Sequence, residues 1–205
     1  MYRPRLSQFL PVPMLGSRWW YSTGNQYYPA YGLPNCTCYA DGRVSEINGK
    51  FIPIPAGNGR DWWTIFQQPQ YPYSMGPTPE LGCVMCWGPK EPEEPEDWDE
   101  EEQGPWEPDP DDPYYTALGH VGVCEEIAYD INDNPVMCRT SNSGYPSSYF
   151  FTDDLYRADD WCARWMRSPS RNYELQGCVY TGDNPVDIYG HVHRSPIWMM
   201  LRYRR

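Results

Sequence analysis

Cys36 and His120 are the residues of this chain best placed for nucleophilic chemistry. A cysteine thiol is a weak nucleophile until it ionises, and ionisation is favoured at a helix N-terminus beside a histidine. Cys36 follows Asn35, a residue suited to N-capping, and opens a segment of helical hydrophobic spacing. Amide N–H groups at such a helix start could also stabilise the oxyanion of a tetrahedral intermediate, so one location would supply both activation and charge stabilisation. Cys38, two residues on, points to another side of the helix and reads as packing. Of the three histidines, His191 and His193 form a His-Val-His pattern with no third ligand in view and read as surface residues. His120 instead opens a strand, Gly119-His120-Val121-Gly122-Val123, whose glycines leave room for the imidazole while the valines face a core.

A histidine base needs a third group to hold its tautomer and ring orientation. The turn formers Asp130, Asn132, Asp133, Asn134 and Pro135 separate the histidine strand from a strand over 136–142, which predicts a hairpin. Centred on residue 131, that hairpin sets His120 opposite Asn142, and a shift of one or two residues in the turn keeps them close. Glu126 shares a strand face with His120 but lies six residues along, roughly 20 Å, which is too far to orient the ring.

The elements that must carry these residues follow from periodicity. Cys36, Tyr39, Ala40, Arg43, Val44 and Ile47 recur at steps of three and four and predict a helix over 36–47. Asn58 can cap a shorter helix through Asp61, Trp62, Trp63, Ile65 and Phe66, which ends before Pro69. Beyond it the period becomes two, with strands predicted over 81–87, 119–127, 136–142, 148–152 and 173–180. A third helix is predicted over 153–167, with Leu155, Ala158, Trp161, Cys162 and Trp165 in one stripe, acids at its start and Arg167 at its end. Helices first and strands afterwards indicate an α+β domain whose antiparallel sheet packs against the first helix.

Composition sets the organisation. Residues 1–30 hold Trp19, Trp20, Tyr21, Tyr27 and Tyr28 among turn formers and read as an irregular arm packed onto the domain by its rings. The domain proper spans 31–182, with a Pro/Glu/Asp-rich insertion over 89–113 read as an exposed loop, and 183–205 form a tail. The formal charge of -12 is a segment property, because 13 of 28 acids fall between Glu91 and Asp112; without them 16 basic residues face 15 acidic ones. The overall acidity therefore says little about partners, and no nucleic acid is expected. No window approaches the ~18 apolar residues of a membrane span. Pro4, Pro11 and Pro13 interrupt the start before any signal-peptide core develops, so self-export is not expected.

Eight cysteines would suit a disulfide framework, but a free Cys36 leaves an odd set of seven. Cys83 and Cys86 have the spacing of half a zinc ribbon, yet they sit in a strand-like run where residues three apart face opposite ways. They read as small buried hydrophobes, and neither a metal site nor a cofactor is expected.

Together these segments resemble the CHAP domain, the cysteine, histidine-dependent amidohydrolase/peptidase family. Pro34-Asn35-Cys36-Thr37-Cys38-Tyr39-Ala40 with Gly42-Arg43 resembles its nucleophile motif, and Leu81-Gly82-Cys83-Val84-Met85-Cys86-Trp87 the strand before its histidine. Gly119-His120-Val121 with Glu125-Glu126-Ile127 resembles the histidine strand, Thr140-Ser141-Asn142-Ser143-Gly144-Tyr145 the strand after it, and residues 173–180 the closing strand. The resemblance covers about residues 30–182. It implies a papain-like α+β fold and cleavage of bacterial peptidoglycan, as an N-acetylmuramoyl-L-alanine amidase or a peptide endopeptidase. It also implies Cys36 as nucleophile, His120 as base and Asn142 as orienting residue. Some members bind calcium through acids just before the nucleophile; this chain has none there, so that site is not carried over.

Many members are phage endolysins or tail-associated lysins. The resemblance thus implies a phage-encoded protein, associated with the virion or held in the host cytoplasm before release to the wall, with virion tail proteins as further partners. Two other readings stand beside it: a virion component whose domain mainly binds cell wall, and a thiol protease acting on proteins.

Overall fold

The computed structural model of the chain describes residues 4–6, 10–11, 18–99, 101, 105–107, 117–144, 147–153, 156–157, 160–168, 171–182 and 194–196. Its elements in chain order are β1 (Leu10–Pro11), α1 (Tyr28–Tyr31), α2 (Cys36–Asn48), α3 (Gly59–Phe66), β2 (Ser74–Gly76), β3 (Val84–Pro89), β4 (His120–Tyr129), β5 (Pro135–Gly144), β6 (Ser147–Thr152), β7 (Tyr156–Arg157), β8 (Arg167–Ser168), β9 (Arg171–Tyr180) and β10 (Arg194–Pro196). The main sheet runs β1-β6-β5-β4-β3-β9-β2, with every neighbouring pair antiparallel. β7 adds to β5, β8 to β9, and β10 lies parallel to β4, so the tail region contributes a strand of its own. This is an α+β fold with the N-terminal helices packed on an antiparallel sheet, as the sequence predicts.

Alternation along the strands builds a core on each face of the sheet. On one face Val84, Cys86, Val121, Val123 and Val179 meet Cys38, Ala40 and Val44 of α2 and Trp62 and Phe66 of α3. On the other, Met85, Trp87, Cys124, Cys138 and Cys178 meet Tyr156, Cys162, Ala163 and Met166. Cys83 belongs to the second group and Cys86 to the first, so the two thiols face opposite ways. Burial of each large apolar side chain here contributes about 1.5–3 kcal/mol.

The longer helices α2 and α3 start where capping residues allow. The Asn35 side-chain oxygen accepts from the Cys38 N–H at 2.8 Å and from the Thr37 hydroxyl at 2.7 Å, and Gly49 closes α2 in the left-handed conformation at φ 67°. The Asp61 carboxylate accepts from the Asn58 N–H at 3.3 Å at the start of α3.

The helix predicted over 153–167 does not form. Among its described residues, Tyr156 and Arg157 pair as β7 with Cys138 and Met137, Trp161 takes φ 50°, and Arg164–Met166 make a single 3-10 turn. Of the predicted apolar stripe, Cys162 is buried, Trp161 and Trp165 are half-buried, and Leu155 and Ala158 lie outside the described residues; the back of the sheet is covered by Tyr156, Cys162, Ala163 and Met166. Free backbone groups on β5 compete successfully with helical ones there, and Asp153 is held by its own backbone N–H to the Thr140 carbonyl at 2.9 Å.

Residues 19–21 of the aromatic arm form a 3-10 turn, and Tyr21 stacks on Tyr39, which stacks on Phe150, at centroid separations of 5.7 and 5.4 Å. Within the acidic insertion, the described run 91–99 has no helix or strand and is mostly exposed.

Candidate active site

All eight cysteines are thiols with no disulfide, and seven of them are buried; Cys36 is the half-buried one. Cys38 lies beneath it with its thiol donating to the Asn25 side-chain oxygen at 3.4 Å, and burial pushes it up to about 12. A thiol so placed stays protonated and inaccessible. Cys36 occupies the first helical position of α2, where the amide dipoles favour negative charge. The end of β5 comes up against this helix start: a Cβ on Gly144 would stand 3.6 Å from the Cys36 nitrogen.

Two residues back along β5, roughly 7 Å of strand, Asn142 meets His120. Its Oδ1 lies 2.8 Å from His120 Nε2, and both side chains are buried, His120 at 5% exposure and Asn142 at 0%. The hairpin register differs from a symmetric one. Val123 pairs with Ser141 and Cys124 with Thr140, with irregularities between Cys124 and Glu126 and between Ala128 and Tyr129. Extra residues at these bulges displace the pairing by two, so Gly122 rather than His120 comes opposite Asn142. A Cβ at Gly122 would overlap the Asn142 amide oxygen, and its absence lets that amide lie across the strand to the diagonal imidazole. Gly119 serves differently: at φ 67° it lets the Arg60 backbone of α3 pack against the chain just before His120.

The competing acids are engaged elsewhere. Glu126 accepts from Arg139 Nε at 2.8 Å, and Glu125, fully buried, accepts from Arg43 Nε and Nη2 at 2.7 and 2.8 Å and from the Ser141 hydroxyl at 2.6 Å. Among the described residues no group of three or more His, Cys, Asp and Glu is arranged to hold a metal ion. His191 and His193 lie outside the described residues, and no described helix is long and apolar enough to cross a membrane.

Sequence reasoning missed a neighbour of the imidazole and a neighbour of its asparagine, both within the segment read as a helix. Trp165 meets His120 edge-on at 4.9 Å and 88°, opposite Trp87 at 5.8 Å. Asp153 accepts from Asn142 Nδ2 at 3.0 Å, from the Thr140 hydroxyl at 2.7 Å and from Trp165 Nε1 at 2.7 Å. The signal for Asp153 lay in its place as the acid at the end of the 148–152 strand, which periodicity assigned to a helix start, and Trp165 was counted in the apolar stripe of that helix.

A thiol at a helix start, at the end of the strand whose asparagine grips a histidine through its amide oxygen, is an arrangement suited to acyl transfer through a thiolate. Compared with known proteins, the chain finds no match among curated proteins and none among solved structures. Among protein families, the CHAP domain matches residues 22–142, more than half of the 205-residue chain and inclusive of Cys36, His120 and Asn142. The chain therefore belongs to the CHAP family, whose members are generally cysteine, histidine-dependent amidohydrolases or peptidases acting on peptidoglycan.

Proposed function

We propose that this protein cleaves an amide bond of bacterial peptidoglycan, as an N-acetylmuramoyl-L-alanine amidase or a peptide endopeptidase. In this reading Cys36 is the nucleophile, His120 the base and Asn142 the group that orients it. The observation that carries the reading is the 2.8 Å contact between Asn142 Oδ1 and His120 Nε2. An amide oxygen can only accept, so Nε2 carries the ring proton and Nδ1 keeps its lone pair for the thiol.

The Cys36 sulfur attacks the amide carbon as its proton passes to His120 Nδ1. The carbonyl oxygen becomes an oxyanion near the positive end of α2, and the imidazolium then protonates the leaving amine as the C–N bond breaks. Water, deprotonated by the same histidine, hydrolyses the thioester and frees Cys36. Phage lysins are the setting we propose, on the strength of the sequence resemblance, with release to the wall from a virion or a host cytoplasm.

The test is loss of turbidity of purified Gram-positive walls, followed by mass spectrometry of the fragments to locate the cut bond. Wild-type protein should clear the suspension, and Cys36→Ala should do so at least about 1000-fold more slowly. Equal clearing by the two proteins would remove Cys36 from the mechanism. Binding to walls without any new amine or carboxylate terminus would make the chain a wall-binding component instead.

A further inference from the structure

Asp153 is a buried carboxylate that touches the hydrogen-bonded chain leading to His120. It is 7% exposed and lies at the end of β6, and its two oxygens accept from three side chains. Oδ2 takes the Thr140 hydroxyl at 2.7 Å and Asn142 Nδ2 at 3.0 Å, and Oδ1 takes the Trp165 indole N–H at 2.7 Å. Asn142 Nδ2 also reaches the Thr140 carbonyl and hydroxyl oxygens, each at 3.2 Å. Every acceptor around Asn142 Nδ2 is thus on one side, and His120 is on the other.

We propose that Asp153 is the positioning residue of this site: it fixes which end of the Asn142 amide faces His120, holds the Trp165 wall, and lends negative charge to the imidazolium. The proposal rests on the Cys36–His120–Asn142 reading above. A side-chain amide can turn end for end at little cost unless its surroundings distinguish oxygen from nitrogen. Here a carboxylate and a carbonyl would both repel the amide oxygen, so Oδ1 is turned to His120 Nε2 and selects the tautomer with a bare Nδ1. The second effect is electrostatic. A neutral asparagine adds no charge of its own, whereas a buried carboxylate one hydrogen bond further away favours the thiolate–imidazolium pair over the neutral pair. The third is steric, since the indole held by Oδ1 is the ring that meets His120 edge-on.

The other titratable groups around this carboxylate are Tyr156, whose hydroxyl donates to Thr140 Oγ1 at 3.4 Å, Cys162, and Arg139, which donates to the Asp153 backbone carbonyl at 3.4 Å while its Nε is bound to Glu126. The thiols of Cys38 and Cys162 and the Tyr156 hydroxyl are all held protonated by burial, so none of them replaces the charge of Asp153.

Alkylation of Cys36 by iodoacetamide reads this charge without any wall substrate, because the other seven thiols are buried. In Asp153→Asn the alkylation rate at about pH 6 should fall about tenfold, the effect of one pH unit in thiolate population. At about pH 10, above the ordinary thiol range, the rate should match wild type. On soluble muropeptides kcat should fall roughly 10- to 100-fold with little change in KM.

Equal alkylation of both proteins at every pH, or an equal loss at every pH, overturns the proposal, the second outcome marking a packing role only. Should Asp153→Asn not fold, 15N shifts of the wild-type His120 ring decide: a proton on Nε2 in the neutral form supports the assigned amide orientation, and a proton on Nδ1 overturns it. A pH-selective loss of alkylation in a protein that leaves walls intact would uphold the role of Asp153 while refuting the peptidoglycan reading.

Discussion

At the scale of single residues, the candidate site depends on an atom that is missing. Gly122 stands opposite Asn142, and a methyl group there would overlap the amide oxygen that grips His120 and press on the Ser141 carbonyl at 3.2 Å. Gly122→Ala should therefore lower kcat on soluble muropeptides by about 10- to 1000-fold, the scale of losing an oriented base. Its cost in stability should be about 1–3 kcal/mol, typical of an overfilled core position. Steady-state kinetics and urea unfolding of the same preparation separate the two effects. A variant with wild-type kcat would show that Asn142 Oδ1 does not need its present place. The same residue scale explains why one cysteine of eight is suited to attack: burial keeps Cys38 near 12 and Cys162 near 11, while Cys36 alone sits half-exposed at a helix start.

At the scale of elements, α2 is buried on nearly every side, and its polar residues carry the consequences. Arg43 is neutralised by Glu125 and Glu46, with its Nη1 2.8 Å from Glu46 Oε2. Asp41 has no such cation among the described residues: the Gln26 N–H reaches it at 3.3 Å and the Ser45 hydroxyl at 3.4 Å, and burial pushes it up to about 6. A carboxyl raised in this way from 3.8 contributes stability that is complete below its unfolded value and is lost as the pH rises through about 6. At neutral pH it is a charged group in an apolar place. Asp41→Asn should accordingly raise stability at pH 7 by about 1–3 kcal/mol, and the gain should vanish at about pH 3, below the unfolded value, where both proteins are neutral at this position in both states. Thermal unfolding of the pair across that interval checks it, and a gain that is constant with pH would rule out the ionisation as its source.

At the scale of the whole molecule, the N-terminal arm is bound to the domain by a charge the sequence hides. The Arg5 guanidinium lies over the rings of Phe150, Tyr21 and Tyr39 at 4.8, 5.2 and 5.9 Å, and its Nη2 meets Glu46 Oε2 at 2.7 Å. Its backbone N–H donates to Glu125 at 3.0 Å, and its carbonyl accepts from the Thr152 hydroxyl at 2.9 Å. This one residue thereby ties the arm to α2, β4 and β6. Arg5→Ala should cost about 1–3 kcal/mol, since cation–π and packing contacts are lost while Glu46 keeps Arg43 and the Tyr21 hydroxyl. Urea denaturation measures it, and an unchanged midpoint would mean that the Arg5 side chain adds nothing to the backbone contacts that hold the arm.

How much of this was legible before the structure differs by residue and has a physical cause. The start of α2 at Asn35 and Cys36, the α+β order of elements and the opposite facing of Cys83 and Cys86 all follow from local rules, because caps and alternation depend on neighbours in the chain. The pairing of His120 with Asn142 was legible as proximity but not as register, since bulges in β4 and β5 leave no periodic signal. The segment after Thr152 was misread because its apolar residues can be spaced as a helical stripe, whereas the ones that cover the back of the sheet are Tyr156, Cys162, Ala163 and Met166, of which only Cys162 belonged to that stripe. Asp153 and Trp165 lay in that segment. Only the tertiary fold, by offering Thr140 and Asn142 as donors across β5, decided that an acid suited to starting a helix would instead stand behind the amide that holds His120.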